Sequence, residues 1–163
     1  MKIIDKIFDY AFTVSFVLLL IVIAMPILAI FLLIFYPINY FQDKKFEKEY
    51  LIFLKQINGK NFFCYNNRLN SKDFIEEVII PNLRSDVEII YLDGKEIVSD
   101  YPPKYISVAL YRLHNYHKFP HLLAIRNDQV VDMSVNNVFY TILNQNQPLD
   151  RLFNQMNSFF NNK

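Results

Sequence analysis

The side chains best suited to chemistry are few: one thiol and three imidazoles. Cys64 is the only cysteine. It can form neither a disulfide within the chain nor a CxxC redox or zinc pair. It lies in the apolar run NFFCY at 61–65, where cysteine acts as a small hydrophobe, so a buried and inert thiol is expected. His114, His117 and His121 follow an H-x2-H-x3-H spacing. Two imidazoles one helical turn apart can share a metal ion, with a third ligand from the next strand. Pro120 interrupts that geometry, and Arg112 and Lys118 repel a cation. The competing reading is a basic helix end favoured by the helix dipole. No metal and no cofactor is therefore expected. Only Gly59 and Gly94 are present, too few for a loop whose backbone cradles phosphate. No Ser, His and acid trio stands at a recognisable spacing. No catalytic residue is assigned, and a non-enzyme is the expectation.

The charge balance excludes another class of function. The chain has 163 residues, 17 basic and 16 acidic, for a net charge of +1. A nucleic-acid partner calls for a strong basic excess on one face, so none is expected. Aromatic residues, all Phe and Tyr, make up 17%; together with the many Asn, Ile and Lys, this composition reads as codon bias in an A/T-rich genome.

What must position these residues begins with a membrane segment. No charged residue occurs between Asp9 and Asp43, and FVLLLIVIAMPILAIFLLIFY occupies 16–36. A bilayer core about 30 Å thick needs about 20 apolar residues as helix. The run is too long for a signal peptide, whose apolar region is about 7–15 residues. Pro26 removes a helical hydrogen bond mid-run, which leaves two arrangements: a kinked single span, or a re-entrant hairpin. Lys2 and Lys6 precede the run; Lys44, Lys45 and Lys48 follow it. The positive-inside rule places the C-terminal side in the cytoplasm. Tyr10, Tyr36 and Tyr40 suit the two interfaces.

Three segments follow: a membrane anchor at 1–42, an amphipathic linker helix at 43–59 and a soluble domain at 60–163. Phe46, Tyr50, Phe53, Leu54 and Ile57 form one helical face, to lie on the bilayer or on the domain, and Gly59 ends that helix. Strands are expected at 61–65, 86–92, 120–125 and 129–133. The Asp93-Gly94 turn leaves 95–99 as hairpin or loop. Asn70 or Ser71 is expected to cap a helix carrying Phe74, Ile75, Val78 and Ile79, closed or bent by Pro81. Pro102-Pro103 starts a helix with Ile106, Ala109, Leu110 and Leu113. After Asn136-Asn137 comes a short helical stretch, and Pro148 opens the last helix. The βαβ start implies parallel strands and the closing hairpin antiparallel ones: an α/β domain with a mixed sheet.

This order resembles the thioredoxin fold, a three-layer domain with a mixed sheet. A second local likeness is the stretch from Phe119-Pro120-His121 to Val131, similar to the strand that a usually cis proline opens in that family. The resemblance covers about residues 60–160. It implies that Asn66, Asn67, Arg68, Phe119 and Pro120 converge, with free backbone groups beside the proline able to pair with an extended peptide. The competing reading is an ordinary turn and an ordinary strand start. The family's CxxC position holds Asn66-Asn67-Arg68-Leu69-Asn70 instead, and dithiol exchange needs a resolving thiol, so the domain is expected to be redox-inactive.

The first 40 residues also resemble the membrane hairpin of bacterial polyprenyl-phosphate sugar transferases, through Lys6-Ile7-Phe8-Asp9 and Met25-Pro26, with Met where that family has Ser. Nothing after Tyr40 resembles their catalytic part. The expected function is a membrane-tethered protein-binding or accessory module, with the lipid bilayer and a protein as partners. The alternative is an accessory enzyme of membrane-linked glycan or lipid metabolism.

Overall fold

The computed structural model describes residues 2–113 and 118–161. The chain divides into two compact units, Met1–Lys48 and Glu49–Lys163.

The first unit is helical. Helix α1 (Lys2–Gln56) starts here and contains Pro26 and Pro37 without interruption. A proline in a helix interior removes one i→i−4 bond and bends the axis, yet flanking turns can keep the ladder. This helix is long and apolar enough to cross a membrane: its most apolar window has a mean hydropathy of 3.4 and is wholly unburied. Leu18, Ile21, Met25, Leu28 and Phe31 are all more than half exposed or close to it.

The second unit takes in the last turns of α1. There Tyr50, Phe53, Leu54 and Ile57 are buried while Leu51 and Ile52 are exposed, so the helical periodicity is read out as a docked face rather than a lipid-facing one. Phe53 stacks on Tyr105 with ring centroids 4.8 Å apart. The chain turns at Gly59, whose φ of +86° suits a residue without Cβ.

Five strands follow: β1 (Asn61–Asn66), β2 (Val87–Asp93), β3 (Glu96–Val98), β4 (His121–Arg126) and β5 (Gln129–Ser134). Their spatial order is β3-β2-β1-β4-β5. Strands β1 and β2 are parallel, while β4 is antiparallel to both β1 and β5. The segment left as hairpin or loop pairs back on β2 as β3. The sheet is thus mixed, in an α/β unit, with β1 and β4 central and buried along nearly their whole length.

Helices α2 (Leu69–Phe74), α3 (Pro103–Tyr111), α4 (Asn136–Gln145) and α5 (Asp150–Asn161) complete the unit. One core unites Phe63, Tyr65, Leu122 and Ala124 of the sheet with Ile75, Ile79, Phe139, Leu152 and Met156. Alternate residues of β1 and β4 point to this face, as strand geometry requires. The start of α2 corrects the expected cap: Arg68 stands at the N-cap position with no side-chain bond. Ser71 is instead buried, donating to the Arg68 carbonyl at 3.2 Å. Beyond Phe74 the helix loosens into a π turn (Ile75–Ile79) and then a 3-10 turn (Ile80–Asn82). Pro81 contributes to the change, because its ring and missing N–H break the α-helical ladder at residue 77.

Candidate functional site

The residues marked out by the sequence lie at one end of the sheet, where β1 ends and β4 begins. Cys64 is the Cα partner of His121, which places Phe119 and Pro120 level with the last residues of β1. The Phe119–Pro120 peptide bond is cis.

The backbone groups at this end are largely engaged inside the unit. The Phe119 carbonyl accepts a hydrogen bond from the buried Asn136 side chain. The Pro120 carbonyl accepts one from the Val135 N–H at 3.2 Å. This corrects the expectation of a free backbone edge beside the proline: α4 docks its first turn there and takes both carbonyls. Across the sheet end, the Asn67 N–H donates to the Leu92 carbonyl at 3.0 Å, extending the β1–β2 ladder by one residue. The Asn67 side chain donates to Asp93 at 2.8 Å. The Arg68 guanidinium lies 5.1 Å from the centre of the Tyr140 ring, a cation–π distance, and Tyr140 donates to Ser71 at 3.1 Å. The two loops share this end of the sheet; Asn67 and Arg68 stay exposed while making these contacts.

Beside these loops lies a largely apolar groove. It has a volume of about 540 Å3 and runs beside Phe119, walled by Leu92, Ile97, Leu110 and Tyr111, with Lys95 and Ser107 on its rim. Tyr111 is 91% exposed, and Leu69, nearby in sequence to Arg68, is 87% exposed. The sequence did not signal this groove as a unit, because it is assembled from three parts: the β2–β3 hairpin, one face of α3 and Phe119, two residues before β4. The one available sign was Tyr111, which falls off the helical stripe of Ile106, Ala109, Leu110 and Leu113.

The titratable residues split differently from their spacing. Cys64 is fully buried, and burial pushes its thiol well above its ordinary range. His114 and His117 lie outside the described residues. His121 is wholly buried, its Nε2 3.0 Å from Asp132 Oδ2, with both side chains inside the unit. That pair spans β4 and β5 diagonally, Asp132 standing opposite Leu123. Among the described residues no group of three His, Cys, Asp or Glu could hold a metal ion. On the opposite face of the sheet, Tyr65 donates to Glu76 at 2.9 Å. Burial first, and then the Glu76 carboxylate, push its phenol up.

No family model, no curated protein and no solved structure matches this chain.

Proposed function

We propose that this protein is a membrane-tethered, redox-inactive, thioredoxin-like module that binds a protein partner at the cytoplasmic face of a membrane. The observation that carries the reading is the contrast within α1. An unburied apolar stretch with a mean hydropathy of 3.4 precedes a unit with its own closed core. Water does not tolerate so much exposed apolar surface on a soluble chain, whereas a bilayer solvates it. The unbroken helix through Pro26 favours a single span over a hairpin. The thioredoxin-like reading rests on the parallel β1–α2–β2 start, the return of β4 antiparallel beside β1 and the β4–β5 hairpin. In that frame β3 is an added edge strand.

Redox inactivity follows from the thiol. Cys64 is inaccessible and held protonated by burial, and an attacking group must be an accessible thiolate. Binding is assigned to the apolar groove beside Phe119 and Tyr111, next to the loop of Asn66, Asn67 and Arg68. The tether raises the concentration of the module near its partner, as any linker does for an intramolecular encounter.

Purification of the full chain in mild detergent tests the reading. A protein is expected to copurify, and Tyr111→Glu is expected to lose it while the folded unit keeps its melting temperature. Recovery of a lipid-linked sugar in place of a protein supports the enzyme-accessory alternative. Reduction of insulin at an ordinary thioredoxin's rate overturns the redox-inactive assignment.

A further inference from the structure

The uncharged part of α1 is too long to lie wholly in hydrocarbon. Thirty-three residues separate Asp9 from Asp43, all of them helical. At 1.5 Å per residue they extend about 50 Å. Fitting that length into a core of about 30 Å demands a tilt of about 53°, beyond the roughly 0–40° that membrane helices adopt. Part of the stretch therefore lies outside the core, and the residue types say which part. Residues 12–35 carry no group more polar than Thr13 and Ser15. Residues 36–42 read Tyr-Pro-Ile-Asn-Tyr-Phe-Gln. The amides of Asn39 and Gln42 are expensive to hold in hydrocarbon without partners, whereas tyrosine favours the headgroup layer. Tyr40 packs edge-on to Phe41 at 5.9 Å, and Lys44 Nζ lies 5.6 Å from the Tyr40 ring centre. An ammonium over an aromatic face fits a layer that holds both rings and charge.

We infer that residues 36–42 form a collar in the headgroup layer and that only residues 12–35 cross the hydrocarbon. This deepens the tether reading and rests on it. The lengths agree with the assignment. Twenty-four residues extend about 36 Å, which spans a 30 Å core at a tilt of about 35°. Seven more residues at that tilt rise about 9 Å, close to the roughly 5–8 Å of headgroup layer on one side. Asp43, Lys44 and Lys45 then emerge into water beside the lipid phosphates. The anchor is asymmetric: only Tyr10 and Ala11 separate Asp9 from residue 12 on the other side. The partner of the collar is the lipid headgroup layer itself. Ile38, Tyr40 and Phe41, 45%, 50% and 71% exposed, offer it their side chains.

Spin labels on single cysteines test this in the full chain, reconstituted in phosphatidylcholine vesicles. The positions are Ile27→Cys, Ile34→Cys, Ile38→Cys, Phe41→Cys and Lys45→Cys. Their spacing keeps them on one side of the helix, so tilt does not scatter the depths. Cys64 is buried and serves as its own unlabelled control. Relaxation by oxygen, which concentrates in the bilayer, is compared with relaxation by an aqueous nickel chelate. Depth is expected to fall by about 1.2 Å per residue, or about 17 Å from position 27 to 41, against about 21 Å for an upright helix. Positions 38 and 41 are expected to lie between the oxygen-dominated Ile34 site and the nickel-dominated Lys45 site. Phe41 as deep as Ile34, or as open to nickel as Lys45, overturns the collar. Nickel access at Ile27 overturns the tether reading instead.

Discussion

Two stretches of one helix, equally rich in large apolar residues, meet opposite fates. From Phe12 to Phe41 nearly every described apolar side chain is exposed. From Tyr50 to Ile57, four are buried and two are not. The difference lies in pattern. The first stretch is apolar all round and presents no face to a core. In the second, Tyr50, Phe53, Leu54 and Ile57 follow the 3, 4 and 7 spacing of one stripe, and Lys55 and Gln56 point away. Apolar content alone therefore predicts burial poorly; periodicity separates a segment left exposed from one docked into a protein core.

The sharpest way to break this comparison is to truncate one aromatic in each stretch. Phe53→Ala removes a ring stacked on Tyr105 and edge-on to Tyr101, and a buried Phe→Ala change loses about 3–5 kcal/mol. Phe31→Ala, on the exposed stretch, is expected to change the stability of the folded unit by less than about 0.5 kcal/mol. Denaturant titration of both variants in detergent checks this. Equal losses would mean that the two stretches are packed alike.

A charge tests the exposed stretch from the other side. Leu28→Arg is expected to weaken membrane insertion by about 3–4 kcal/mol, the penalty of the arginine plus the lost contribution of the leucine. The readout is a larger carbonate-extracted fraction in a membrane-insertion assay. Lys55→Ala, on the exposed side of the docked stretch, is expected to leave insertion unchanged.

A smaller effect sits at the end of the sheet. Asn136→Ala removes the donor to the buried Phe119 carbonyl, and an unsatisfied buried acceptor loses about 1–3 kcal/mol. Its melting temperature should fall while membrane retention stays intact, which confines the damage to the folded unit. The smallest effect concerns Asp86, whose carboxyl the Arg84 guanidinium holds below its ordinary range, against some desolvation. Because the folded value lies below the unfolded one, the pair stabilises above the ordinary carboxyl range and loses that contribution as pH falls through the folded value. Both side chains are more than a third exposed, so solvent screening limits the gain to the lower part of about 0–1 kcal/mol. Asp86→Asn should therefore differ from the parent at pH 7 and converge on it in acid unfolding once the pH has fallen below the lowered folded value of the carboxyl.

Local chemistry made most of the elements legible. The turn between β4 and β5 was visible in Asn127-Asp128, both at positive φ, and Asp93-Gly94 marked the turn into β3. Pro103 opened α3 as its fixed φ allows. The loosening of α2 was only half visible: Pro81 announced a disturbance, and its propagation back to Ile75 depends on packing against the sheet. The candidate site was harder to read. Residue types identified the loop at 66–68 and the strand start at 119–120. The capture of both carbonyls by Asn136 and Val135 depends on how α4 docks, which no spacing encodes. The buried His121–Asp132 pair was hidden for the same reason, since a register of β4 on β5 brings together residues eleven apart.

The central claim is that a lipid-facing helix and a separately folded unit make up this protein. Fractionation of membranes washed with high salt and then carbonate tests it most directly. The full chain is expected to stay in the pellet, and a chain starting at Asp43 to be soluble and folded. One starting at Lys60, which lacks Tyr50, Phe53, Leu54 and Ile57, is expected to be neither. Release of the full chain by carbonate, or insolubility of the chain starting at Asp43, would contradict the account.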